Sequence, residues 1–164
     1  MPKFNYVRAR REDVREIPQK YERAFRFAAR VFGRLNLAVY NGSGGRLMNK
    51  GPGNRPICVV TMVGRKTGKK REVPLMHVPH GEQKILVASL GGTSKNPTWY
   101  YNLKANPDVT IAVDGAQRAY RAREVDPDEK AALWPVLVDA YPPYDTYQAR
   151  CDRDIPVFIC DPVT

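Results

Sequence analysis

The sequence predicts a mainly β domain of the α+β class: a small barrel of about six antiparallel strands with flanking helices and an N-terminal amphipathic helix. Three observations predict it. Short β-rich runs recur from about residue 55 to 160 and are separated by turn residues, so the strands pair in hairpins rather than βαβ units. Asp114-Gly115, between two such runs, is a type I′ hairpin signal. Ile85-Leu86-Val87-Ala88 is apolar throughout, as a strand buried on both faces must be. A chain of 164 residues suits one domain with a full core.

Taken in order, residues 1–17 are polar and irregular and read as a mobile arm. A helix is expected from Pro18 to Tyr40, because Phe25, Ala28, Phe32, Leu35 and Val39 recur at spacings of three and four. Arg23, Arg26, Arg30 and Arg34 fall on nearly the opposite face. Such a helix either packs its apolar stripe on the core with the arginines solvated, lies in an anionic membrane surface, or offers its arginines to nucleic acid. Asn41-Gly42-Ser43-Gly44-Gly45 stops it. After a loop at Lys50–Asn54, strands are expected over Ile57–Val63 and Glu72–Val78, with Pro74 marking an edge or bulge. His80-Gly81 turns the chain into a strand at Lys84–Ser89. Asn96 then reads as the N-cap, and Pro97 as the first residue, of a short helix reaching about Ala105. The hairpin arms are Val109–Val113 and Ala116–Val125. Asp126 with Glu129 opens a helix that runs to about Ala140 and carries Pro135, a kink signal. Tyr141-Pro142-Pro143-Tyr144 reads as a rigid aromatic loop, Tyr147–Arg150 as a helical turn, and Ile155–Cys160 as the last strand. Residues 1–45 are thus an arm and amphipathic helix, and residues 46–164 the barrel that binds the ligand.

Composition excludes several classes. No run of eighteen apolar residues occurs, so no membrane-crossing helix is expected. No apolar core of a signal peptide follows the basic N-terminus. Three widely spaced cysteines, Cys58, Cys151 and Cys160, make no disulfide framework and suit a reducing, cytoplasmic setting. Two histidines without cysteine partners make no zinc site, and no metal is expected. The net charge of +10 suits a polyanionic partner: nucleic acid, anionic lipid or a multiply charged small molecule.

The chemistry concentrates in two segments. Gly64-Arg65-Lys66-Thr67-Gly68-Lys69-Lys70-Arg71 is a basic turn between two strands. It is one residue too short for a Walker A loop and opens no helix, yet its cations and Thr67 suit a phosphate. The alternative is a hairpin tip with solvated charges. Ser89-Leu90-Gly91-Gly92, after a buried strand, allows a planar group close to the backbone. Lys95-Asn96-Pro97-Thr98-Trp99-Tyr100-Tyr101 then supplies adjacent aromatics, a stacking platform or plain packing. Tyr141, Tyr144 and Tyr147 form a second aromatic group, in which a phenol is a potential proton donor. Cations beside a flat aromatic platform suit a redox cofactor with an anionic tail and a planar ring.

Thr61 to Ile111 resembles the deazaflavin-dependent nitroreductase family. The resemblance rests on Gly-Arg-Lys-Thr-Gly-Lys at 64–69, Ala-Ser-Leu-Gly-Gly at 88–92, Lys-Asn-Pro-Thr-Trp-Tyr-Tyr-Asn-Leu at 95–103 and Ala-Asn-Pro-Asp-Val at 105–109. It continues through Ala-Tyr-Pro-Pro-Tyr at 140–144 and Asp-Arg-Asp-Ile-Pro-Val-Phe at 152–158, covering roughly residues 40–162. It implies a split β-barrel oxidoreductase that uses reduced coenzyme F-420 to reduce a quinone, an activated alkene or a nitroaromatic. It also implies a cofactor site at Arg65, Lys66, Thr67, Gly68, Lys69, Arg71, Ser89, Leu90, Gly91, Gly92, Lys95, Asn96, Pro97, Trp99 and Tyr100, with Lys50 and Arg55 extending the cationic groove. Met76, Tyr141, Tyr144 and Tyr147 would meet the acceptor, with Tyr144, or Ser89 with solvent, supplying a proton. Two departures stand out: the family pattern has lysine where this chain has Leu90 and tyrosine where it has Met76. Expected partners are the small-molecule acceptor and an anionic surface, the inner face of the plasma membrane, reached through the N-terminal helix. No nucleic acid is expected, and the chain would be a monomer or homodimer. The alternatives are a split barrel that binds flavin mononucleotide or another ligand, and a basic nucleic-acid-binding module.

Overall fold

In the computed structural model, which describes residues 4–163, the chain folds as one curled antiparallel sheet with helices on its outside. Helix α1 covers Gln19–Gly42; strands β1 Lys50–Gly51, β2 Arg55–Val63, β3 Lys70–Met76, β4 Val78–His80 and β5 Gln83–Val87 follow. Helix α2 spans Thr98–Ala105, then come β6 Asp108–Val113, β7 Ala116–Glu124, helices α3 Pro127–Ala140 and α4 Pro143–Arg150, and β8 Val157–Pro162. The order is β1-β2-β6-β7-β8-β5-β4, with β3 on the other side of β2. Since β3 and β4 are joined at His77, the two ends of the sheet meet there. That seam makes the barrel a split one. Eight strands stand among the described residues where about six were expected, because β1 and β4 are only two and three residues long.

Local chemistry explains most elements. Asp114 and Gly115 both take positive φ (50° and 84°), the type I′ geometry that matches strand twist. The Asp126 carboxylate accepts the Glu129 N–H at 2.8 Å and caps α3. Pro74 pairs with Val59 at the edge of the sheet, where a missing N–H leaves no ladder bond unmade. The apolar run at 85–88 alternates between two cores. Leu86 and Ala88 face the barrel interior with Cys58, Val60, Ile111 and Phe158. Ile85 and Val87 face a second core under α3 and α4 with Trp134, Leu137, Tyr144 and Ile155.

Four expectations are corrected. The N-terminal arm is docked: Val7 is buried in the second core, and the N–H groups of Arg8 and Ala9 donate to the Asp145 carboxylate at 3.0 and 2.6 Å. The apolar stripe of α1 does not pack on the core; Phe32 is 63% and Leu35 62% exposed. The packed face is instead polar or small, with Glu22, Asn36 and Tyr40 buried and Gly33 lying over Pro74. Helix α2 begins at Thr98 with no side-chain cap, because Asn96 is held elsewhere. The stretch around Tyr144 is helical from Pro143 rather than a rigid loop, which sets Tyr144 and Tyr147 one turn apart.

Candidate active site

The basic turn closes on itself. The N–H groups of Thr67 and Gly68 donate to the Gly64 carbonyl at 3.2 and 2.8 Å, and Arg65 N–H donates to Asn102 Oδ1 of α2 at 3.1 Å. Those three backbone donors are spent within the fold. Arg65, Lys66, Lys69 and Arg71 are exposed, and none of the ion pairs among the described residues involves them. The Arg65 guanidinium sits over the Tyr101 ring, 5.0 Å from its centroid. Thr67 Oγ1 lies 3.4 Å from both Lys69 N and an Arg71 nitrogen, and Gly68 is open to solvent. Arg55 does not extend this groove. Its Nε donates to Ala140 O at 2.8 Å and its guanidinium covers Tyr141, so it supports the aromatic group instead.

Helix α2 joins the turn to the small-residue loop, since Asn96 and Pro97 precede its first turn and Tyr101 and Asn102 touch the basic turn. That separation is about 8 Å of helix rise. The three aromatics do not form a flat platform. Trp99 is buried in the barrel core 6.0 Å from Phe158, Tyr100 packs edge-on to Phe158, and Tyr101 faces Arg65. Successive helical side chains point about 100° apart, which no adjacent triplet escapes.

The loop itself is strained. Ser89 is right-handed helical, and Leu90, Gly91 and Gly92 all take positive φ (43°, 65° and 75°). For Leu90 that conformation costs about 1–2 kcal/mol, the kind of strain that collects at functional sites. The loop is closed from both sides. A Cβ on Gly91 would meet the Phe25 ring at 2.9 Å, and one on Gly92 would meet the Tyr147 carbonyl at 2.6 Å. The Cβ side of each glycine is therefore filled, by Phe25 at Gly91 and by the Tyr147 backbone at Gly92.

Three charged side chains clamp this segment, and none was singled out from the sequence for that role. Arg153 donates Nε to Thr93 O at 2.8 Å, Nη1 to Asn96 Oδ1 at 2.6 Å and Nη2 to Ser89 O at 2.7 Å. Arg150 Nη1 donates to Gly91 O at 2.8 Å. Glu22 of α1 accepts Ser94 N–H at 2.7 Å and its hydroxyl at 2.6 Å. Burial opposes ionisation of Glu22, but those bonds, with Arg26 and Lys95 nearby, hold its carboxyl below the usual range. Arg153 lies in the Asp-Arg-Asp-Ile-Pro-Val-Phe motif at 152–158, but nothing in that motif shows which carbonyls it would reach.

Tyr141, Tyr144 and Tyr147 come together, and Met76 packs in the same core. Tyr141 and Tyr147 share a hydrogen bond at 3.1 Å, and Tyr144 meets Tyr141 edge-on at 4.8 Å. Burial pushes the Tyr144 phenol well above its ordinary value, with the two neighbouring tyrosines adding to the effect. It therefore stays protonated at any physiological pH. Its hydroxyl, like that of Ser89, has no hydrogen-bond partner among the described residues. Ser89 and Leu90 are half-buried, Pro97 is buried and Lys95 is exposed.

The split barrel thus carries an exposed cationic turn, a strained loop and a cluster of tyrosines. Residues 32–162 match the F-420H(2)-dependent quinone reductase family, and the chain belongs to it. An F-420H(2)-dependent quinone reductase of Mycobacterium tuberculosis is 37% identical over 129 residues, 77% of this chain and 87% of that protein. A solved F-420-H2 dependent reductase is 46% identical over 65% of this chain and 95% of its own, with a TM-score of 0.60. Another solved chain, described as a domain-swapped dimer, is 40% identical over 78% of this chain and 96% of its own, with a TM-score of 0.63. Membership makes the chain an F-420-dependent oxidoreductase.

Proposed function

We propose that this chain reduces a quinone with reduced coenzyme F-420, and that the residues described above form its site. The observation that carries the reading is the set of four exposed cations outside any ion pair of the described residues, Arg65, Lys66, Lys69 and Arg71, joined through α2 to the strained loop. This donor set fits the cofactor, whose phosphodiester and glutamate tail needs cations and whose ring needs hydrogen-bond donors. Arg65, Lys66, Lys69 and Arg71 hold the tail, and Ser89–Asn96 the ring. Bound there, the reduced cofactor supplies a hydride from its deazaflavin ring to the acceptor. Phe25 and the Tyr147 backbone hold the flanks of the loop, lying against Gly91 and Gly92. Tyr144, neutral and unbonded at its hydroxyl, donates a hydrogen bond or a proton to the oxygen where negative charge develops. Its neighbours Tyr141, Tyr147 and Met76 shape the acceptor side. Activated alkenes and nitroaromatics are further acceptors of the same reading.

Titration of the protein with oxidised F-420, followed by tryptophan fluorescence, tests the cofactor site. Saturable quenching is expected, weakened about tenfold in Lys66→Ala, since a hydrogen bond to a charged group contributes about 1.5–3 kcal/mol. Menadione reduction then tests the acceptor class.

The same proposal divides the chain into residues 1–45, an arm and a surface-seeking helix, and residues 46–164, the catalytic barrel. Among the described residues no helix is long and apolar enough to cross a membrane. Helix α1 does present Tyr21, Phe25, Phe32, Leu35 and Val39 to solvent, with the exposed Arg23, Arg30 and Arg34 opposite. An apolar stripe of that size on a chain of net charge +10 suits an anionic lipid surface, where a quinone is found. Flotation with phosphatidylglycerol vesicles is expected, and is lost in Phe32→Asp/Leu35→Asp. Failure of the wild type to float refutes the membrane reading. A dimer is a further proposal, supported by the domain-swapped relative and tested by sedimentation.

A further inference from the structure

We infer that Arg153 is a positioning residue that turns the Ser89–Leu90 peptide and the Asn96 amide so that both present hydrogen-bond donors to the ligand. The inference rests on reading this loop as the ring site. A trans peptide holds its C=O and N–H on opposite sides. Arg153 Nη2 takes the Ser89 carbonyl at 2.7 Å, so the Leu90 N–H must face away from Arg153. The same rule holds four residues along the loop. Arg153 Nε takes the Thr93 carbonyl at 2.8 Å, and the Ser94 N–H on the opposite side finds Glu22 at 2.7 Å. No such acceptor meets the Leu90 N–H among the described residues. The Ser89 and Leu90 backbone, right-handed then left-handed, has the form that gathers successive N–H groups around an anionic or carbonyl oxygen.

Asn96 follows from donor counting. A guanidinium only donates, so its 2.6 Å bond to Asn96 identifies the contacted atom as the amide oxygen. The amide nitrogen then carries two hydrogens with no partner among the described residues. The Leu90 N–H and the Asn96 NH2 are therefore donors without acceptors on one loop, held by one side chain. Their match is a planar heterocycle with acceptor oxygens or nitrogens along an edge, such as the pyrimidine-like edge of a deazaflavin. The positive Leu90 φ of 43° is the cost of this arrangement.

The test compares Arg153→Lys, Asn96→Asp and Asn96→Leu with the wild type. Readouts are the Kd for oxidised F-420 by fluorescence, the melting temperature without cofactor, and KM against kcat. An ammonium cannot reach all three acceptors, so Arg153→Lys is expected to raise Kd and the cofactor KM about tenfold, the worth of one or two hydrogen bonds. Its kcat at saturation stays within about twofold, because donors that hold the ring alike before and during reaction act on binding alone. Asn96→Asp keeps, and charges, the acceptor for Arg153 while removing the amide donor. Its melting temperature holds or rises and its Kd rises at least tenfold. Asn96→Leu separates donor loss from added charge and is expected to bind as weakly. If Asn96→Leu binds normally, or Arg153→Lys folds and binds normally, the inference is overturned. If Arg153→Lys does not fold, the two Asn96 variants decide alone. A wild type that fails to bind F-420 overturns the cofactor reading, and this inference with it.

Discussion

His77 sits where β3 becomes β4, at the seam of the split barrel, and its burial makes a quantitative prediction. It is 3% exposed, and neither ring nitrogen has a hydrogen-bond partner among the described residues. Burial, reinforced by the Lys84 ammonium and only partly offset by Asp114, lowers its pKa to about 4 from an ordinary 6.5. In the unfolded chain His77 takes up a proton below about pH 6.5, whereas in the fold it stays neutral until about pH 4. Acidification through that window favours unfolding. The stability lost reaches about 2 kcal/mol at pH 5 and about 3 kcal/mol at pH 4, from 1.36 kcal/mol per pH unit of separation. Replacing His77 with leucine removes the proton site and two orphaned polar atoms from the seam. Thermal melts by circular dichroism at pH 7 and pH 5 measure the effect. The wild type is expected to lose about 4–8 °C more than His77→Leu on this step. At pH 7 the variant melts at or above the wild-type temperature, since removing unsatisfied polar atoms does not cost stability. Equal pH dependence in the two proteins refutes the reasoning, because it means that the folded state accepts the proton as readily as the unfolded chain does.

Three further outcomes are expected. Asp145 accepts bonds from Trp134 Nε1 and from the N–H groups of Arg8 and Ala9, so Asp145→Ala strands three donors; it should cost about 2–4 kcal/mol in urea and open residues 4–13 to protease. Gly92→Ala would place a Cβ 2.6 Å from the Tyr147 carbonyl at a φ of +75°, and should lower the melting temperature and F-420 affinity together, whereas Gly68→Ala, in open space, strains only its own turn. Tyr144→Phe should cut quinone reduction at least tenfold with little change in F-420 affinity, as loss of a transition-state donor does. Full activity in that variant removes Tyr144 from the mechanism.

Much of this architecture was legible in the chain. The Asp114-Gly115 hairpin, the Asp126 cap, the doubly buried run at 85–88 and the basic turn each depend on residues close in sequence. Their backbone preferences and spacing are written locally. The motifs around 64–69 and 88–109 also carried the family. What was misread depends on which surfaces meet. Periodicity located the apolar stripe of α1 but not its orientation, and the helix packs by Glu22, Asn36 and Tyr40 instead. Trp99 and Tyr101 look like one platform in sequence, yet helical geometry sends one into the core and the other to Arg65.

The site divides in the same way. The cationic character of the 64–71 turn is written in the sequence itself, which holds five lysines and arginines and no acidic residue there. The donor arrangement at Leu90 and Asn96 is not, because it depends on Arg153, about sixty residues away in sequence, reaching three acceptors at once. Nor is the covering of Gly91 by Phe25, which requires α1 to lie against the loop. Turn chemistry and strand burial are properties of neighbours along the chain. The partner of a buried polar group is chosen only when folding brings distant segments within hydrogen-bond reach.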